Sequence, residues 1–150
     1  MGVSSREAAI AALHAAITAA LAARSPEPQV LRGETVPQRI AAGGLVMIQD
    51  GETVEETAIL SPLCWQVRHV AEVVVVAPGV TPEARAAALD ALLVDVAEAI
   101  VADRTLGGAV EWAQPESPTF DDIDTDAAAS ARAASVPVSL WFTAAATPLS

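Results

Sequence analysis

Residues 64–78 read CWQVRHVAEVVVVAP, and their alternation decides the fold. Successive side chains of an extended chain point to opposite faces. Trp65, Val67, His69, Ala71, Val73 and Val75 therefore share one face, and Gln66, Arg68, Val70, Glu72, Val74 and Val76 share the other. The polar residues of the second face stop at Glu72, so the later half of the stretch is apolar on both sides. This pattern predicts a long strand, either central in a sheet or set against another subunit.

Upstream, QVLRGETVP and GGLVMIQDGE are short, rich in β-branched or apolar residues, and bounded by Gly or Pro, which predicts two more strands. The acidic stretch QDGETVEETAILSP at 49–62 is expected to form the exposed end of a long hairpin. Before these, Ile10, Leu13, Ile17 and Leu21 recur at helical spacing, and SPEP at 25–28 stops the pattern, so a helix is expected over about 4–24. Downstream, TPEARAAALDALLVDVAEAIVADRTLGG predicts a second helix. Thr81 is its N-cap, Pro82 lies in its first turn, Leu89, Leu92, Leu93, Val96 and Ile100 form its buried stripe, and Gly107 lies just past its end. GAVEWAQPESP reads as a strand with Val110 and Trp112 on one face. In the closing stretch ASVPVSLWFTA, Val136, Val138, Leu140 and Phe142 alternate with Pro137, Ser139, Trp141 and Thr143. Pro137 lacks an N–H and predicts an edge strand or the first residues of one. The order α-β-β-β-α-β-β, with hairpin connections, predicts an α+β fold: a mostly antiparallel sheet of about five strands with two helices packed on one face, as a single domain over 1–150.

Of the 150 residues 34 are alanine, which buries little area, so the core is expected to be thin. The formal net charge is −11 and all eight basic residues are arginine. Such acidity argues against specific binding to a phosphate backbone, although an acidic wall would let DNA slide past. Cys64 is the single cysteine, which rules out an internal disulfide, and it reads as a small buried hydrophobe. No stretch resembles a secretory leader, and the apolar run VVVVAP is far too short to span a bilayer, so a soluble chain made in a cytosol is expected.

Asp121, Asp122, Asp124 and Asp126 crowd into one short segment. If Asp122, Asp124 and Asp126 began a calcium loop, Ala127 would stand where glycine makes the sharp turn and Ala133 where a glutamate closes the shell. Both are the wrong residue, so these aspartates are weak metal candidates and a solvated acidic loop is expected, flexible over about 115–134. Pro115 and Pro118 interrupt regular structure there, and the Ala and Ser residues after them bury little. Nucleophilic catalysis would have only His14 and His69 as histidine bases, and no hydrolase, zinc-protease or phosphate-loop motif is present. Glu55 and Glu56 lie in a polar stretch without the shaped pocket that acid–base work needs. No catalytic residue, cofactor site or enzyme activity is expected.

In order and local texture the chain resembles the tail terminator proteins of long-tailed bacteriophages, of the lambda type, also described as minor tail or tail completion proteins. An Ala/Leu-rich helix comes first, WQ at 65–66 opens a long strand ending in AP at 77–78, a helix with Glu83 near its start comes next, and an Asp-rich connection precedes the last alternating strand. The resemblance covers about 60–145. It departs from the family in having no Tyr in the last strand and a longer small-residue stretch, AAASARAAS, after the aspartates. The resemblance implies a structural virion protein of a phage or prophage, made in the host cytoplasm and residing in the virion tail. It implies a homohexameric ring that caps the tail tube protein, stops elongation and docks to head–tail connector proteins, with no enzyme activity and no membrane. The alternative class is a small bacterial α+β ligand-binding domain or an enzyme of unknown substrate. Because two helices cannot cover both faces of the sheet, a subunit interface is expected on Val70, Val74 and Val76 and on the hairpin carrying Glu52, Glu55 and Glu56.

Overall fold

A computed structural model describes residues 2–33, 39–123 and 131–150. The elements run α1 (Ser5–Leu21), β1 (Gln29–Arg32), β2 (Leu45–Leu60), β3 (Leu63–Pro78), α2 (Pro82–Ala102), β4 (Trp112–Pro115), β5 (Thr119–Ile123) and β6 (Ala131–Ala145). The fold is α+β, with two helices on a mostly antiparallel sheet. The strand order is β1-β2-β3-β6-β4, with β5 also paired to β6. Only β1 and β2 run parallel. No described helix is long and apolar enough to cross a membrane.

The helices begin where the capping residues put them. The Ser4 side chain accepts from the Glu7 N–H, and the Thr81 side chain accepts from the Ala84 N–H, each satisfying a donor the helix leaves open. Ile10, Leu13, Ile17 and Leu21 of α1, and Leu89, Leu92, Val96 and Ile100 of α2, are buried against one face of the sheet. That face is built from Val46 and Ile48 of β2, from Val67, Ala71, Val73 and Val75 of β3, and from Val136, Val138, Leu140 and Phe142 of β6. Burying each larger side chain is worth about 1.5–3 kcal/mol, so this layer holds the fold. Arg32 on β1 ties the start of α1 to the sheet by donating to both Glu7 carboxylate oxygens, at 2.7 and 2.6 Å. That pairing holds the Glu7 carboxyl below its usual range.

The hairpin strand beyond Gln49 is longer than a loop tip: β2 continues to Leu60 and pairs with β3 down to Leu63. Among the described residues the sheet has six strands, where about five were expected. The extra one, β5, lies in the stretch expected to be an irregular acidic loop. Asp121 stands opposite Ala133 and Asp122 opposite Arg132 in the β5–β6 register. The Ala and Ser residues of 131–135 bury little, but their backbone pairs with β3 on one side and β5 on the other, and that pairing overrides their weak strand preference. Asp124 and Asp126 lie outside the described residues.

Two placements in the second half of the chain differ from expectation. Trp112 is 47% exposed, with the Arg104 guanidinium 4.5 Å from its ring centroid, while Ala113 is the buried residue of β4. The turns before β4 end only at Val110, so strand alternation starts at Trp112 and sends Ala113 inward. Pro137 sits in the middle of β6, which is interior. Its carbonyl accepts from Glu116 N, between the end of β4 at Pro115 and the start of β5 at Thr119. N–H and C=O of one strand residue point the same way, so the missing N–H faces the gap between two partner strands and costs no ladder bond.

Candidate interaction surface

Helices cover one face of the sheet, and the opposite face carries the candidate site. Here β2 and β3 form a long hairpin whose outer edge pairs with β1 only from Leu45 to Ile48. Beyond that, no described strand pairs with the outer edge of β2.

Two irregularities shape the hairpin. Asp50 and Gly51 together oppose Ala71, and Val54 is one residue too many between the pairs Thr53–His69 and Glu55–Arg68. Each such bulge reverses the facing of the strand residues beyond it. Gln49, Glu52 and Glu55 are three residues apart, and a regular strand would alternate them. The bulges instead bring all three to the open face, opposite Glu72, Val70 and Arg68. Gly51 is required at the first bulge: its φ is +68°, and an added Cβ would lie 1.8 Å from the Val70 carbonyl oxygen. His69, buried on the helix-covered side, clamps the same bulge. Its Nε2 bonds the Asp50 carbonyl oxygen, which can only accept, so Nε2 carries the proton. Its Nδ1 hydrogen-bonds the Thr53 hydroxyl at 2.9 Å.

The open face has two adjoining concavities. One, of about 310 Å³, is lined by Gly51, Glu52, Val54, Val70 and Glu72. The other, of about 190 Å³, is lined by Glu55, Thr57, Gln66, Val67, Arg68, Glu111, Trp141 and Phe142. Arg68 lies over the Trp141 ring, 5.7 Å from its centroid, and its Nη1 is buried without a hydrogen-bond partner. Glu72 accepts from Ser135 Oγ at 2.7 Å, and Glu111 accepts from Thr143 Oγ1. Carboxylates thus rim a floor of Val70 and Trp141, with one arginine set into it.

Of the residues expected at an interface, Val70, Val74, Glu52 and Glu55 share this face, with Val70 and Val74 half-buried. Val76 is fully buried, packed with Leu45, Ala131 and Ala133, so it is core rather than contact surface. Glu56 pairs with Val67 and stands on the other side of β2 from Glu55, so the two neighbouring glutamates are not a carboxylate pair. Sequence reading did not find the Arg68–Trp141 stack, since it depends on the β3–β6 register. The bulge was signalled by the glycine inside a strand pattern, QDGE. Cys64 is half-buried and free. Among the described residues no group of three or more His, Cys, Asp and Glu could hold a metal ion. His14 lies on α1, where its carbonyl accepts from Thr18 Oγ1, and it is far in sequence and element from the hairpin.

No family model matches the chain, and no curated protein matches it significantly in sequence.

Proposed function

We propose that the protein is a structural component of a phage-type tail, a terminator that caps the tail tube as a ring, stops its elongation and offers the surface to which the head docks. The observation that supports this reading is the long β2–β3 hairpin, whose outer edge is unpaired from Gln49 to Leu60 among the described residues, next to a sheet face without a helix layer. Unpaired strand edges and half-apolar faces are the usual material of subunit contacts. In this reading six copies form the ring through the hairpin edge and the Val70–Val74 stripe. The tail tube protein and the head–tail connector proteins bind its two ends. DNA passes through the ring without specific binding, repelled by a chain of net charge −11. The protein is made in the host cytoplasm and resides in the virion tail, with no catalytic step and no cofactor.

Solution mass measured with purified tail tube protein tests this. A six-fold species is expected when the tube protein is present. A chain that stays monomeric with the tube protein and binds a metabolite tightly would belong instead to the class of small ligand-binding domains or enzymes.

A further inference from the structure

We infer that the β4 end of the sheet is the mate of the hairpin edge: Arg104 and Trp112 of one copy receive Glu55 of the next, in a head-to-tail contact between copies of this chain. The inference rests on the reading of the hairpin edge as a contact between copies, and it names the surface which that edge meets.

A single cross-strand row supplies the first observation. Glu55 stands opposite Arg68, Arg68 opposite Trp141, and Trp141 opposite Trp112. Directly paired residues share a face, so the row crosses the open face from the outer edge of β2 to β4, the last strand of the order. Beside Trp112 comes Arg104, its guanidinium 4.5 Å from the ring centroid. Its Nη1 donates to the Ala113 carbonyl oxygen at 3.2 Å and to Gln114 Oε1 at 2.7 Å, which holds the charge against β4.

The two ends of the row supply the second. Among the described residues exposed Glu55 makes no ion pair, and Arg104 bonds only to neutral acceptors. The row therefore starts on a carboxylate that lacks a cation and ends on a cation that lacks a carboxylate. Trp112 adds a ring 47% exposed, and Trp and Arg are the side chains that most often anchor interfaces. The two ends meet when one copy is set beside the next without a shift along the strands. A two-fold arrangement of hairpins would instead set Glu55 against Glu55. Contacts between two different patches run head to tail and close into a ring where the rotation permits. The contact is made by side chains rather than by a continued ladder. Arg104 occupies the Ala113 carbonyl, Gln114 Nε2 occupies the Pro115 carbonyl, and Pro115 has no N–H to offer.

The test is disulfide cross-linking in a Cys64→Ser background, which removes the single native cysteine. Glu55→Cys protein is mixed with Arg104→Cys protein at about 1 mM, where weak contacts are populated, and oxidised. A product joining the two variants is expected, well above the yield of Glu55→Cys with Glu83→Cys, which reports random collision. Glu83 lies in the first turn of α2. Charge reversal gives a second readout: Glu55→Arg should weaken self-association about ten-fold or more in sedimentation, and adding Arg104→Glu to it should restore most of the loss. Glu83→Arg makes the same change in net charge and should leave association unchanged. The inference is overturned if the mixed product does not exceed the collision control, or if Glu55→Cys links only to itself. It is also overturned if the reversed pair associates no better than Glu55→Arg alone. The six-fold species with tube protein is measured separately. A ring without the mixed cross-link removes only this inference, and a cross-linked assembly of another size removes only the tail reading.

Discussion

At the scale of single residues, the hairpin depends on one glycine. Gly51 adopts a φ of +68° with the Val70 carbonyl against its Cα, so Gly51→Ala has both strain and overlap to relieve. We expect a loss of about 2–4 kcal/mol in urea unfolding, in the range of mutations that break a special backbone position. A loss under about 1 kcal/mol, or a gain such as Gly→Ala gives where the backbone suits alanine, would mean that the bulge relaxes without cost. Asp103 is a second such residue. Its carboxylate accepts from the N–H groups of Thr105 and Gly107 and from Thr105 Oγ1, closing the turn after α2, and these bonds, the Thr105 hydroxyl foremost, hold its pKa below the usual carboxyl value. A depressed folded pKa contributes stability that is present above the unfolded pKa and is lost as pH falls through the folded one. The melting temperature of Asp103→Asn should therefore lie below that of the native chain at pH 7, and the gap should close as pH drops below about 4. A gap that persists unchanged at low pH would show that the turn does not depend on the charge.

At the scale of elements, the legibility of the sequence divided along physical lines. Both helices were readable because caps and apolar stripes are local: Thr81 and the Leu/Ile spacing need no knowledge of what lies across the sheet. The faces of β3 were readable for the same reason. What depended on register was not. Trp112 was placed on one face with Val110, Val76 at a contact surface, and Pro137 at an edge or the start of a strand, and in each case a partner strand or turn decided otherwise. Strand β5 was hidden because its Asp121 and Asp122, and the Ala and Ser of the partner stretch 131–135 in β6, have little strand character until the strands pair. In the proposed surface, Glu52 and Glu55 were named together, but their shared face comes from two bulges that spacing alone does not reveal. Val74 is half-buried opposite Met47 and Ser135, so Val74→Asp should leave the monomer folded by circular dichroism and abolish the six-fold species with tube protein. Persistence of the ring would move Val74 out of the interface. Replacing Asp121, Asp122, Asp124 and Asp126 together with Ser should leave the melting temperature insensitive to calcium, as the native chain is expected to be. A calcium-dependent rise of several degrees in the native chain, lost in the variant, would make the segment a metal site.

At the scale of the whole molecule, helices cover one face of the sheet and the other keeps an acidic, partly apolar surface. The helix-covered face carries most of the core, the Leu45–Val76–Ala131–Ala133 end of the other face is buried as well, and its hairpin end with Glu52 and Glu55 is exposed. Substitutions should separate accordingly. Leu13→Ala, fully buried in the helix layer, should cost about 2–5 kcal/mol in chemical unfolding. Glu55→Gln on the open face should change stability by less than about 0.5 kcal/mol. If the two variants unfolded alike, the division into a stabilising face and a contact face would be wrong.

The unpaired outer edge of β2 also sets the colloidal behaviour of the protein. A strand edge that is left open is a template for its own kind, and two copies laid edge to edge would continue each other's sheet. On this edge Glu52, Glu55 and Glu56 place like charges where two copies would meet, and the bulges at Gly51 and Val54 spoil the straight register such pairing needs. The bulges persist at any pH, but the charges do not. Near the sequence pI of about 4.3 the overall repulsion vanishes, so the same edge becomes adhesive. Light scattering should stay flat with concentration at pH 7 and rise steeply near pH 4.3, with Glu52→Lys, which raises the pI, moving the rise to higher pH.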